Sequence, residues 1–253
     1  MIVALTAPSA MAASFTQVVD FNFKDPARQM PVGGEVIDVD PDLFIGLGFT
    51  LSVAPNNSGS TLGLFNSNCG PDFPGVACGG NDGDLATGPT FGTDPQGLVL
   101  VINESTTDVN DDPDGGVITF SFANPVDISS VTLLDLDDNA DDVGKIDFGF
   151  EFADTNLARR DVLVSDLLNS NTKVLGGALG SENSLVEFTF VDESGTVDGA
   201  FQGVSEFSIE YNGVSGAVAG LTYERFDVPV PAALPLMLTG LGLLGYLRAR
   251  RRG

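Results

Sequence analysis

The chain has 253 residues, 35 acidic side chains against 11 basic ones, and a formal net charge of -24. This length suits one large domain with a real core, and so acidic a surface repels nucleic-acid phosphates while favouring divalent cations, basic partners or simple solubility. The chain has no histidine and no tryptophan, which excludes Ser-His-Asp and Cys-His triads and His-bearing zinc sites and removes the strongest ring for cation–π contact.

The chain starts MIVALTAPSAMAASF, an apolar stretch of small residues in which Ala10-Met11-Ala12 fits an A-x-A cleavage pattern. Residues 1–12 are expected to be part of a secretory signal peptide with its basic start upstream; the alternative is a plain apolar N-terminus. Strands are expected over 15–23 and 44–53. In CGPDFPGVAC, Cys69 and Cys78 bracket a Gly/Pro loop. They form a disulfide in an oxidising compartment, or stay free thiols in a reducing one.

A strand over 97–103 leads into the first of two acidic clusters. DVNDDPDGG carries Asp108, Asp111, Asp112 and Asp114; DLDDNADD carries Asp135, Asp137, Asp138, Asp141 and Asp142. They flank two expected strands, 117–122 and 126–136. If those strands form a hairpin, both clusters meet at one edge of the sheet and can face one calcium ion, which takes six to eight oxygen ligands. Neither cluster is an EF-hand loop, because Pro113 and Ala140 stand where that loop needs glycine. Solvated acidic turns are the alternative to calcium binding.

Further along, KIDFGFEF, SLVEFTF and VSEFSIEY alternate with period two, as GVITFSF does before them. Ile118, Phe120 and Phe122 share one face, and so do Phe207, Ile209 and Tyr211. ARRDVLVSDLLNS mixes helix and strand signals, and a last strand is expected over 221–226. Many short alternating strands punctuated by Gly, Pro, Asn and Asp predict an all-β fold, an antiparallel β-sandwich over 13–227 with the phenylalanines in its core.

No charge occurs from Val228 to Leu247. As a helix this run spans about 30 Å, the thickness of the hydrocarbon core. Pro229 and Pro231 mark a hinge before it, and Arg248, Arg250, Arg251 and Arg252 follow it. A single C-terminal transmembrane helix with cytoplasmic arginines is expected, placing the acidic domain outside the cytoplasm.

The order Val228-Pro229-Val230-Pro231-Ala232, apolar run and arginine cluster resembles the PEP-CTERM sorting signal in its VPLPA form. That resemblance assigns 228–253 to a sorting signal read by an exosortase-like processing enzyme. It implies an exported bacterial protein, held in the inner membrane and then passed to the cell surface or the exopolysaccharide matrix. VVDFNF, LGFTLSV, GLVLVINES and DDPDGGVITFSFANPVDISSVTLLDLDD resemble ectodomains that carry this signal. Those ectodomains imply a jelly-roll-like sandwich of unassigned activity. The expected role is non-enzymatic, structural or adhesive, with a calcium-dependent carbohydrate-binding module as the alternative. A glycan hydrolase pairing Asp135 or Asp137 with Glu104 or Glu151 is a third possibility.

Overall fold

A computed structural model of the chain describes residues 14–22, 35–81, 83–135, 148–154, 159–163, 172–177, 183–191, 201–212 and 215–226. The expected signal peptide (1–12), the sorting tail (228–253), Asp137 and Asp138 lie outside the described residues. Contacts divide the chain into two units, Met1–Phe15 with Phe226–Gly253, and Thr16–Arg225. The second unit carries the core. Among the described residues, no helix is long and apolar enough to cross a membrane.

The described strands form one curled antiparallel sheet. In chain order they are β1 (Ser14–Val19), β2 (Phe49–Pro55), β3 (Thr61–Asn66), β4 (Leu98–Asn103) and β5 (Gly115–Leu134), then β6 (Phe148–Asp154), β7 (Arg159–Leu163), β8 (Thr172–Gly176), β9 (Leu185–Thr189), β10 (Val204–Asn212) and β11 (Ala217–Phe226). The expected strands at 15–23, 44–53 and 97–103 correspond to β1, β2 and β4 with shifted ends.

The central feature is β5, a single strand of 20 residues where the sequence suggests a hairpin. Its first half pairs with β2 and β10, its second half with β9 and β11. Val126 stands opposite both Val204 and Arg225. Asn124 and Pro125 signal a turn in sequence. They fall instead in a gap between these two sets of ladder partners, where residues 123–125 are exposed. A proline without an N–H costs no ladder bond there. The strand therefore bends and serves two limbs of the sheet, β7-β6-β10-β5-β2 and β3-β4-β11-β5-β9-β8.

The alternation of β5 and its neighbours explains the core between the limbs. Ile118, Phe120 and Phe122 from the first half pack in one cluster with Ile128, Val131 and Leu133 from the second. Phe207, Ile209 and Tyr211 of β10 join them, with Leu221 and Tyr223 of β11. Each such side chain contributes about 1.5–3 kcal/mol of burial. Phe49 links the rings, 5.5 Å from Phe120 and 6.3 Å from Tyr223 between centroids.

β4 reads LVLVIN without alternation, and all six residues are buried. Leu98, Leu100 and Ile102 face the main core, whereas Val99 and Val101 face a second cluster with Phe65, Cys69, Leu85 and Ala86. The Gly/Pro loop thus covers the outer face of β4. Two strands run against their sequence signals. β3 lies within a Gly- and Asn-rich region, and β7 is drawn from the ambiguous ARRDVL stretch by its ladder with β6. Pairing with neighbours overrides weak local propensity in both.

Candidate metal centre

Asp111 of the first acidic cluster and Asp135 of the second are placed by the two ends of β5. Its start at Gly115 lies opposite Asn212 of β10, and its end at Leu134 lies opposite Ala217 of β11. β10 and β11 are joined over residues 213–216. Both ends of β5 therefore come to the same short connection. Asp111 and Asp135 follow them there, by way of a bent strand and not by a hairpin.

Gly216 is the meeting point. Its N–H donates to the Asp111 carboxylate at 3.1 Å. A Cβ built on Gly216 would lie 2.8 Å from the Asp135 carbonyl oxygen and 3.0 Å from Cε1 of the Tyr211 ring. Asp111 is 8% exposed, Asp135 1% and Tyr211 1%. Asp135 has a left-handed backbone, φ 59°. Its N–H donates to the Ser184 carbonyl at 2.8 Å, which holds that kink against β9.

The Tyr211 hydroxyl has no hydrogen-bond partner among the described residues. Burial pushes its ionisation far above the ordinary phenol range, and the charges of Asp111 and Asp135 push in the same direction. The phenol therefore stays neutral, with one proton to donate and lone pairs to offer. A neutral hydroxyl beside two buried carboxylates is an all-oxygen environment, suited to a hard cation and not to zinc.

Among the described residues, the other expected calcium ligands, Asp108, Asp112 and Asp114, do not join this place. Asp112 is buried and already engaged, accepting from Ser60 Oγ of the β2–β3 turn at 2.6 Å and from the Asp114 N–H of its own loop at 2.9 Å. Asp114 is exposed. Asp108 is exposed as well, and accepts from Ser105 Oγ at 2.7 Å and Thr107 Oγ1 at 3.1 Å. Those two hydroxyls hold its carboxyl below the usual range. Among the described residues, no three Cys, Asp or Glu side chains are grouped to hold one metal ion.

Away from this centre, Glu35 is half-buried beside Gly79 and accepts the Asn66 N–H at 3.3 Å. Burial raises its carboxyl, and the Asp108 charge adds to the rise. Glu104 is exposed and accepts from Asn110 Nδ2 at 2.7 Å. Cys69 and Cys78 are disulfide-bonded, with 5.1 Å between their Cα atoms. The loop they close is tied to the next by Asp72, whose carboxylate accepts the Thr90 N–H at 2.8 Å and its hydroxyl at 2.7 Å.

Sequence reasoning missed Tyr211 and Gly216 as members of a site. The alternation of VSEFSIEY marks Tyr211 as a core residue, and it is one. The available signal was a phenol, not a phenylalanine, at the last core position before the connection to β11. No protein-family model matches the chain, and no curated protein matches it.

Proposed function

We propose that the chain is an exported, non-catalytic β-sandwich protein of the cell surface or exopolysaccharide matrix, with a jelly-roll-like ectodomain. An exosortase-like enzyme reads its tail at Val228–Ala232, after the apolar run has held it in the inner membrane with Arg248, Arg250, Arg251 and Arg252 inside. The observation that carries this proposal is the tail itself: a proline hinge, an uncharged span of membrane length and a basic end on an otherwise acidic chain.

Two of the four carboxylates considered for glycan cleavage, Asp135 and Glu104, support a role without turnover; Asp137 and the Glu151 side chain lie outside the described residues. Asp135 is 1% exposed, so its carboxylate is out of reach of a polymeric glycan. Glu104 is held by Asn110, and among the described residues Tyr211 and Tyr223 are packed in the core, away from a sugar-stacking surface. The Cys69–Cys78 bridge fits an oxidising compartment.

The test is fractionation in the native host of the full chain and of a chain ending at Asp227. The full chain is expected in the envelope or surface fraction with its thiols oxidised. The shortened one is expected to be lost from that fraction. Recovery of both from the cytoplasm with free thiols would overturn the proposal.

A further inference from the structure

We propose that a calcium ion binds beside Gly216, just before β11, held by the carboxylates of Asp111 and Asp135, the main-chain carbonyl of Asp135 and the hydroxyl of Tyr211. The two carboxylates arrive from opposite ends of β5. They are brought to one place by Gly216, whose N–H holds Asp111 and whose missing side chain admits Asp135 and the Tyr211 ring. The left-handed backbone of Asp135 turns its carbonyl oxygen in against Gly216.

The observation that points to a ligand is the Tyr211 hydroxyl, fully buried and without a hydrogen-bond partner among the described residues. A buried hydroxyl left unpaired costs about 1–3 kcal/mol, and a phenylalanine would fill the same core position without that cost. Bound calcium accounts for the phenol. A hydroxyl lone pair coordinates the ion while the O–H, still protonated, donates a hydrogen bond to a neighbouring carboxylate oxygen. Two carboxylates balance the charge of a divalent cation in a medium of low dielectric, where neither is cheaply buried alone. Calcium suits the donor set, since it accepts carboxylate, carbonyl, hydroxyl and water oxygens in irregular geometry. Magnesium demands near-ideal octahedral geometry and keeps more of its water.

This centre does not depend on the export proposal, because it lies wholly within the folded unit. Within that unit it ties the two limbs of the sheet together: Asp111 precedes the half of β5 paired with β10, and Asp135 follows the half paired with β11.

Terbium, a luminescent substitute for calcium, gives a direct readout because the chain has three tyrosines and no tryptophan. The full chain in detergent, excited through its phenols, is expected to sensitise terbium emission that added calcium quenches. Tyr211→Phe keeps the buried ring and is expected to remove most of that emission, whereas Tyr223→Phe is expected to keep it. Asp135→Asn is expected to weaken calcium binding at least roughly tenfold, by removing one of two ligand charges. If Asp135→Asn does not fold, Asp111→Asn gives the same reading, and Tyr211→Phe alone still decides proximity. Emission unchanged by Tyr211→Phe would overturn the site. So would a melting temperature identical in calcium and in chelator, which would leave a water or a shared proton between the carboxylates.

Discussion

Gly216 and Asp111 are 105 residues apart in sequence and joined by one hydrogen bond of 3.1 Å. The bond spans the whole of β5, since Asp111 precedes that strand and Gly216 stands beside its far end. Gly216 has φ +144°, a conformation that side chains rarely adopt, and a Cβ there would strike the Asp135 carbonyl. Gly216→Ala is therefore expected to destabilise the fold by at least about 2 kcal/mol, combining backbone strain with a displaced carbonyl. Chemical denaturation measures this. A loss under half that size would mean the connection is loosely held.

Asn183 gathers three carbonyls. Its Nδ2 lies 2.8 Å from the Gly83 oxygen, 2.5 Å from that of Asp84 and 2.9 Å from that of Ala86. The residue has φ 60°, which asparagine tolerates better than most. Asn183→Asp keeps the shape and sets a carboxylate against three carbonyl oxygens. A loss of about 3 kcal/mol or more is expected at neutral pH, with partial recovery on acidification. Asn183→Gly relieves the backbone and loses only the hydrogen bonds, so it should fall between the wild type and Asn183→Asp.

Reduction of Cys69–Cys78 opens a loop with a sequence separation of 9. The chain-entropy contribution of a loop this short is about 2–3 kcal/mol, or about 5–10 °C in melting temperature for a domain of this size. Cys69 is fully buried in the cluster that covers β4, so the reduced protein should also expose that face. Melting curves with and without reductant test this, together with dye binding at the exposed apolar surface. Coincident curves would show that the loop is held without its bridge.

Two phenols predict the alkaline limit of the fold. Burial pushes Tyr223 up to about 12, against the opposing pull of Arg225, and raises Tyr211 further. Both folded values lie above the ordinary value of 10.0. Their contribution to stability is therefore present below pH 10 and lost as pH rises through about 12. In ultraviolet titration two of the chain's three phenols should stay silent to about pH 11 and then ionise as the protein unfolds. Tyr223→Phe should remove one late phenol, at a stability cost of about 1 kcal/mol for the bond from its hydroxyl to the Leu47 carbonyl at 2.6 Å. More than one of the chain's three phenols titrating near pH 10 in folded protein would refute this.

Strand positions were legible because burial and alternation report the same fact. Ile118, Phe120 and Phe122 could only face a core, as Phe207 and Ile209 could. The continuity of β5 was not legible. Asn124-Pro125 is a turn signal by local chemistry, and only the gap between ladder partners makes it compatible with one strand. β3 and β7 were hidden for a related reason, since their pairing comes from neighbours and their own residues carry weak signals. The meeting of Asp111 with Asp135 was foreseeable from their places at the two ends of a paired region. Tyr211 was not, because alternation assigns a phenol and a phenylalanine to the same core face. Asp108, Asp112 and Asp114 looked equivalent to Asp111 in composition. They differ only in the hydroxyl or N–H each one faces, or in exposure.

The export proposal is tested most directly by the intact mass of the mature protein recovered from its native host. Processing at both ends predicts a mass lacking the N-terminal leader and the residues that follow the Val228–Ala232 signature, with two hydrogens missing for the Cys69–Cys78 bridge. A mass that retains Arg248 to Arg252 and both free thiols would contradict it.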